Sequence, residues 1–292
     1  MKKWSFFKGL KEGRYMDRRK FLFQSASFLC GSILGLNGPA RAFASQGRKI
    51  HSPESPRIAL IIDDIGFSRV RAKEFLELGI PITFSILPRL KKSRELAMEI
   101  HEMGHEIMLH QPMEPYNPEI DPGPGALYAG FSPNRIDHVL EENIYSVPYA
   151  TGVNNHMGSK FTACQKGVEE ALKVINRAGY FFVDSLTTSR STAYKTARRM
   201  HMPSARRNRF LDNIPDESAI VCQLHKLVRH GFRYGHAIGI GHPYPETVRA
   251  LGRFSDNFKR YGVSLVHVSR VLRPGPGAAD KGKLLKSTTT QS

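Results

Sequence analysis

Five separate strand-like stretches each reach an acid or an imidazole at the same end. "IALIIDD" closes on Asp63 and Asp64, "EIMLH" on His110, "GVNNH" on His156, "FFVD" on Asp184 and "AIGIGH" on His242. Carboxylate together with imidazole is the donor set of zinc and similar divalent cations. A catalytic site of that kind needs about three protein ligands and an open position for water. A free carboxylate beside the metal can take a proton from the water, and a histidine across the site can give one to a leaving group. Each residue alone has a simpler reading: a strand-end Asp often caps the next helix, and a lone histidine is commonly structural. Five at corresponding positions are harder to attribute to capping.

The elements that must hold them repeat one pattern. "RAKEFLELG" leads into "IPITFSIL", "SRELAMEIHEMG" into "HEIMLH", "KGVEEALKVINRAG" into "YFFVDS", and "ALGRFSDNFKRYG" into "VSLVHVS". Each begins with apolar residues at helical spacing, such as Leu96, Ile100 and Met103. Each helix closes at a glycine, Gly79, Gly104, Gly179 or Gly262, and then gives a short apolar strand. "IALIID" (58–63) opens the series. "DESAIVCQLHKLVRHG" (216–231) reads as a helix before "GHAIGIGH", and "ATGVNNHMGS" and "MPSAR" are weaker strands. Alternating helix and strand implies a parallel sheet. About seven such strands predict an α/β fold, a distorted or incomplete (β/α) barrel, with an open doubly wound sheet as the alternative. No Gly-x-Gly-x-x-Gly follows the first strand, which weighs against a dinucleotide fold. In a barrel the five acidic or imidazole positions share the C-terminal rim, where active sites are built.

"IALIIDDIG", "GHEIMLHQPMEP", "NNHMGS", "FFVDSLTTSRS" and "GIGHP" together resemble the divergent polysaccharide deacetylase family, a branch of the NodB-type carbohydrate esterases. The resemblance covers roughly 57–272. It implies a NodB-like distorted barrel and metal-dependent removal of N-acetyl groups from a cell-envelope or related polysaccharide, with a divalent metal, zinc foremost, as cofactor and a glycan as partner. Carried over by position, Asp63 matches the catalytic base, Asp64 the metal-binding carboxylate, His110 the first metal histidine and His242 the general acid. Asp184 would orient a catalytic group or a substrate hydroxyl. The chain departs from the family's His-x-x-x-His pattern: Glu114 stands four residues after His110. The third ligand is then Glu114 or His156, with His156 favoured because imidazole replaces imidazole. The Arg-x-Pro-Tyr motif of ordinary members is absent. A catalytically inactive barrel that binds a glycan or envelope partner is the competing reading. Tyr116, Tyr128, Phe131 and Tyr244 lie near the expected rim.

The front of the chain reads as an address. Arg18-Arg19-Lys20, a mainly apolar stretch from Phe21 to Leu36 and the small-x-small Ala42-Phe43-Ala44 make a cleavable export signal over 1–44. Its Arg-Arg-x-Phe-Leu order resembles a twin-arginine signal, with Met16 a second candidate start. A linker (45–56), the barrel (57–272) and a disordered tail (273–292) follow. The expected location is periplasmic or otherwise exported. No stretch beyond the signal is long and apolar enough to span a bilayer, so no stable membrane insertion is expected after cleavage. The formal net charge of +17 divides into +7 within 1–44 and +10 beyond it. A surface this basic suits an anionic polymer or a membrane face. No zinc-finger, RNP-like or helix-turn-helix signature is present, so no nucleic-acid partner is expected. Of three cysteines, Cys30 falls in the signal; Cys164 and Cys222 could pair but are read as two buried thiols.

Overall fold

The computed structural model describes residues 55–272. The expected signal (1–44), nearly all of the linker (45–54) and the tail (273–292) lie outside the described residues.

The strands are β1 (Arg57–Ile65), β2 (Thr83–Ile86), β3 (Glu106–Met113), β4 (Ala150–Met157), β5 (Phe181–Asp184), β6 (Ser204–Arg206), β7 (Arg209–Phe210), β8 (His236–Gly241) and β9 (Ser264–Leu265). The helices are α1 (Arg69–Leu76), α2 (Ser93–Glu102), α3 (Pro133–Ser146), α4 (Gln165–Arg177), α5 (Ala193–Arg199), α6 (Glu217–Tyr234), α7 (Pro245–Arg260) and α8 (Val268–Leu272). Every named strand pair is parallel. Eight strands run in the order β6-β5-β4-β3-β2-β1-β8-β7, and β9 pairs with β1. This is the expected incomplete α/β barrel. Its sheet has nine strands rather than about seven. β7, two residues long, is too short to leave a periodic signal; the strand expected in "VSLVHVS" shrinks to the two residues of β9, and Val268 onward turns into α8 instead. The path stays open between β6 and β7.

Alternation along each strand sorts the side chains into two layers. Ile58, Leu60 and Ile62 face outward and pack with Phe75, Leu96, Leu224 and Phe254 of the surrounding helices. Ala59, Ile61, Met108, Val183, Ile238 and Ile240 form a separate inner cluster. β5 and β8 are far apart along the sheet, yet both contribute to that cluster, so the sheet curls around it. Val268 and Val271 of α8 belong to it as well. The Val268 amide donates to Thr83 Oγ1 (3.1 Å) and the Ser269 amide to Glu106 Oε1 (3.1 Å). Thr83 and Glu106 open their strands, so α8 plugs the N-terminal end of the barrel.

The helices follow their sequence pattern. α4 buries Val168, Ala171, Leu172 and Ile175, one face at helical spacing. Each such residue removed from water contributes about 1.5–3 kcal/mol when large. The four expected closing glycines all take left-handed φ, as Gly104 does at 81°. The two cysteines among the described residues are free, and neither is buried: Cys164 is half-buried before α4, and Cys222 lies exposed on α6. Among the described residues no helix is long and apolar enough to cross a membrane.

Candidate active site

The inner face of the barrel builds the site by continuing the alternation past the apolar cluster. On β1 the inner positions are Ala59, Ile61 and then Asp63. On β3 they are Met108 and His110, on β4 Asn154 and His156, and on β8 Ile238, Ile240 and then His242. Register places His110 opposite Asn154 and Pro112 opposite His156. Neighbouring strands therefore deliver their imidazoles to one place.

Asp64 should point outward by the same count. It reaches the site because the backbone turns there: φ at Asp64 is 57°, and the β1–β2 register shifts between Ile62 and Ile65. Asp is one of the few residues that tolerates this left-handed conformation. Met157, directly after His156, is likewise left-handed (φ 51°). Strain of this kind concentrates where side chains must be aimed.

Asp64, His110 and His156 converge. Asp64 Oδ1 lies 2.9 Å from His156 Nδ1 and 3.1 Å from His110 Nε2, and the two nitrogens are 3.2 Å apart. Yet Asp64 Oδ1, shielded from solvent, has no hydrogen-bond partner of proper geometry. The nitrogens crowd the oxygen without donating to it. A buried oxygen with no donor, facing two imidazoles, fits a cation held by all three. Among the described residues these three can supply ligand atoms to one ion, within 4.8 Å of one another.

The charges agree with that geometry. Burial opposes ionisation of Asp64, but the two histidines outweigh it and hold the carboxyl far below its usual range. Asp63 is 2% exposed, and burial raises its pKa against the opposing pull of His110 and His242. Its Oδ2 is 3.6 Å from His110 Nε2. His110 is also 2% exposed; burial disfavours its charge, and Asp63 and Asp64 overcome this and raise its pKa.

Two residues of the candidate site escaped the sequence reading. Asn154 is buried and ties the site together. Its Oδ1 contacts His110 Nδ1 (2.7 Å) and accepts from Ser85, while its amide donates to Asp63 Oδ1 (2.8 Å). Since Oδ1 can only accept, His110 carries its proton on Nδ1 and turns the Nε2 lone pair toward Asp64 and His156. Asp212 is the second. Its Oδ1 is 2.9 Å from His242 Nδ1, and its Oδ2 accepts from the His242 amide (2.6 Å) and Thr247 Oγ1 (2.7 Å). Burial opposes charge on His242, but Asp212 prevails and the pKa is pushed up to about 9. "FLDN" after the two-residue β7 was the only local signal for Asp212. Asn154 stood inside the "NNH" stretch already noted.

The remaining expected residues fall elsewhere. Glu114 is paired with Lys160 Nζ (2.7 Å) and accepts from the Ala129 amide (2.8 Å), away from the Asp64–His110–His156 cluster. Asp184 shares the outward face of β5 with Phe182. Its carboxylate accepts from the Leu186 amide, Ser191 Oγ and the Tyr194 amide, which is loop capping. His110 does not end its strand, since β3 continues pairing with β4 to Met113. The backbone turns left-handed at Asp64 itself, two residues before Gly66.

A cavity of about 260 Å³ adjoins Asp64, lined by Phe67, Arg71 and Tyr244 among others. Tyr244 is 43% exposed and Phe67, which the sequence reading passed over, 66%. Tyr128 and Phe131 pair at 5.4 Å, and Tyr116 is exposed.

The sequence matches the family described as divergent polysaccharide deacetylase over residues 60–272. It is 32% identical over 216 residues to the uncharacterised protein YibQ of Escherichia coli K12, covering 74% of this chain and 67% of that one. An uncharacterised protein of Haemophilus influenzae is 29% identical over 195 residues, 67% of this chain and 69% of its own. The crystal structure of the uncharacterised protein ATU2773 from Agrobacterium tumefaciens C58 superposes with a TM-score of 0.72 at 26% identity, covering 75% of this chain and 90% of that one.

Proposed function

The chain belongs to the divergent polysaccharide deacetylase family, and on that footing we propose that it is an exported, metal-dependent hydrolase that removes N-acetyl groups from a cell-envelope or related polysaccharide. The observation that carries this is the convergence of Asp64, His110 and His156 on one point beside Asp63. Asp64, His110 and His156 would hold a divalent cation, zinc by donor type. Bound there, the cation would polarise the acetyl carbonyl and acidify a nearby water.

The protein's own groups supply the proton transfers. Asp63, raised by burial toward the working pH, takes a proton from the attacking water. Asn154 holds one of its oxygens, leaving the other for that proton. His242 is protonated at neutral pH, and Asp212 holds Nδ1–H, so Nε2–H is the proton delivered to the leaving nitrogen. The amide C–N bond breaks, giving acetate and a free amine. Phe67 and Tyr244 offer apolar ring faces beside the cluster for a sugar.

Glu114 in place of a histidine favoured the competing reading, an inactive glycan-binding barrel. His156 supplies an imidazole to the cluster instead, which supports the enzyme. Acetate release from a panel of N-acetylated glycans by zinc-loaded protein, with metal content measured in parallel, tests the proposal. Metal bound without any turnover would leave the binding barrel. For export, N-terminal sequencing should find the mature chain starting near Ser45; an intact Met1 or Met16 on cytoplasmic protein would overturn that part.

A further inference from the structure

The open edge of the barrel lies between β6 and β7, which are joined by only Arg207 and Asn208 and do not pair. A cavity of about 520 Å³ occupies that seam, a volume suited to a small ligand. Arg198, Arg206, His230, His236, Tyr194 and Tyr234 contribute to its walls, and Ile238 and Val271 to its apolar part. His236 opens β8 and His242 follows its end. His236 is therefore about 20 Å along the strand from His242, and Ile238, the lining residue of β8 nearest the candidate active site, about 13 Å.

The lining contains no Asp or Glu. Arg69, Arg71, Arg89, Arg177, Arg199 and Arg249 all have carboxylate partners, but what sets the seam apart is two unpaired arginines lining one cavity rather than standing singly on the surface. Arg198 and Arg206 have no ion pair among the described residues. Arg209 and Arg233 add positive charge close by: after burial, they and Arg206 are among the cations that lower the pKa of His230. Burial and Arg57 lower that of His236. Mutual repulsion on this scale, in a concave site, is what an anion would relieve.

The polar groups are also arranged in advance. Asn208 Oδ1 accepts the Ile238 amide (2.7 Å), which fixes the orientation of its carboxamide. Its Nδ2 then donates to His230 Nε2 (3.0 Å). His230 must therefore carry its own proton on Nδ1, where it can donate. Two guanidinium groups, an oriented imidazole and two tyrosines make a donor-rich site with apolar surface beside it.

We propose that the seam cavity is a binding site for a small oxyanion-bearing ligand, phosphate or carboxylate, gripped by Arg198 and Arg206 and separate from the hydrolytic centre. Guanidinium binds both anions through paired hydrogen bonds. Isothermal titration of the full chain with inorganic pyrophosphate and, separately, with citrate identifies which chemistry it takes. One saturable site is expected, weakened by added salt. Arg206→Gln and Arg198→Gln should each weaken it by about tenfold, the loss of a charge-assisted contact. Both arginines are exposed, so folding should be unaffected, with circular dichroism as the check. Asp64→Asn, which removes a ligand from the hydrolytic centre, should leave the affinity unchanged, as should Lys166→Gln on α4. The proposal fails if neither anion saturates at about millimolar concentration. It also fails if Asp64→Asn abolishes binding, or if Lys166→Gln weakens it as much as the seam variants do.

Discussion

Asp212 holds His242 at two points, accepting from the backbone amide at 2.6 Å and facing ring Nδ1 at 2.9 Å. The carboxylate side chain is fully buried, whereas the imidazole is partly exposed. Charge on His242 is thus stabilised from behind, and its Nε2 is left without a partner from Asp212.

A pH signature follows from this pair. In the proposed mechanism His242 is the acid, so activity should fall as pH rises through its folded value, about 9. Asp212→Asn keeps the size and an acceptor for the His242 amide but removes the charge. The alkaline limb of the kcat/KM profile should then move down toward the ordinary histidine value of 6.5. A rate loss with the limb unmoved would mean that Asp212 only packs the loop.

Asn154 should matter as much as a ligand does. It fixes the His110 tautomer and holds Asp63 at once. Groups that orient a metal-binding histidine typically govern about 10–100-fold in metal affinity. Asn154→Leu should weaken zinc binding by that order, read by competition with a chromophoric chelator. It should also destabilise the fold, because Ser85 and Asp63 lose a buried partner. Asn154→Asp adds a charge beside Asp63 and should raise the base's pKa further. Zinc affinity unchanged in Asn154→Leu would reduce Asn154 to a packing residue.

The ligand set predicts an unequal series. Asp64→Asn, His110→Gln and His156→Gln should each lose most bound zinc. Glu114→Gln should retain it, because that carboxylate is engaged with Lys160 and the Ala129 amide. Metal content by atomic emission on purified variants decides this. His110 is buried rather than at a surface strand end, so its replacement should also cost stability. Equal zinc in all four variants would remove the site.

The fold was legible where local periodicity carried it. Helical spacing followed by glycine and a short apolar run located most of the helix–strand units, and a run of such units implies a parallel sheet. Asp63, Asp64, His110, His156 and His242 were legible because each stands in or just after a strand with apolar residues ahead of it. What failed was facing. "FFVD" is apolar on both faces, so nothing local says that Asp184 turns outward with Phe182 while Ser185 turns in toward Asn154. Asp212 and Asn154 act through contacts 30 to 91 residues away, which leave no short-range pattern. Glu114 had the right spacing for a motif but a nearer partner in Lys160. The turn at Asp64 leaves no local signal, because glycine, here Gly66 two residues on, is the residue that takes such a backbone most readily.

Asp63 gives the sharpest test, because activity and stability should move in different directions. Asn has the same shape and can still accept the Asn154 amide through Oδ1. It cannot take the proton of an attacking water. Asp63→Asn should keep zinc and lose activity by about 10²–10⁴-fold. Meanwhile the native carboxyl is raised by burial above its ordinary value of 3.8. Such a group binds its proton more tightly in the folded chain than in the unfolded one. The folded state therefore loses stability as pH rises from that ordinary value through the folded one, and the penalty persists above it. Removing the ionisable group removes the penalty, so the metal-free Asp63→Asn protein should melt at or above the native temperature at neutral pH and show a shallower fall from acid to neutral. Thermal melts of chelator-treated proteins across that range, beside acetate release by the zinc-loaded forms, separate the two effects. Turnover close to native would remove Asp63 as the base, whereas a clear drop in melting temperature would mean that its charge is compensated in the fold.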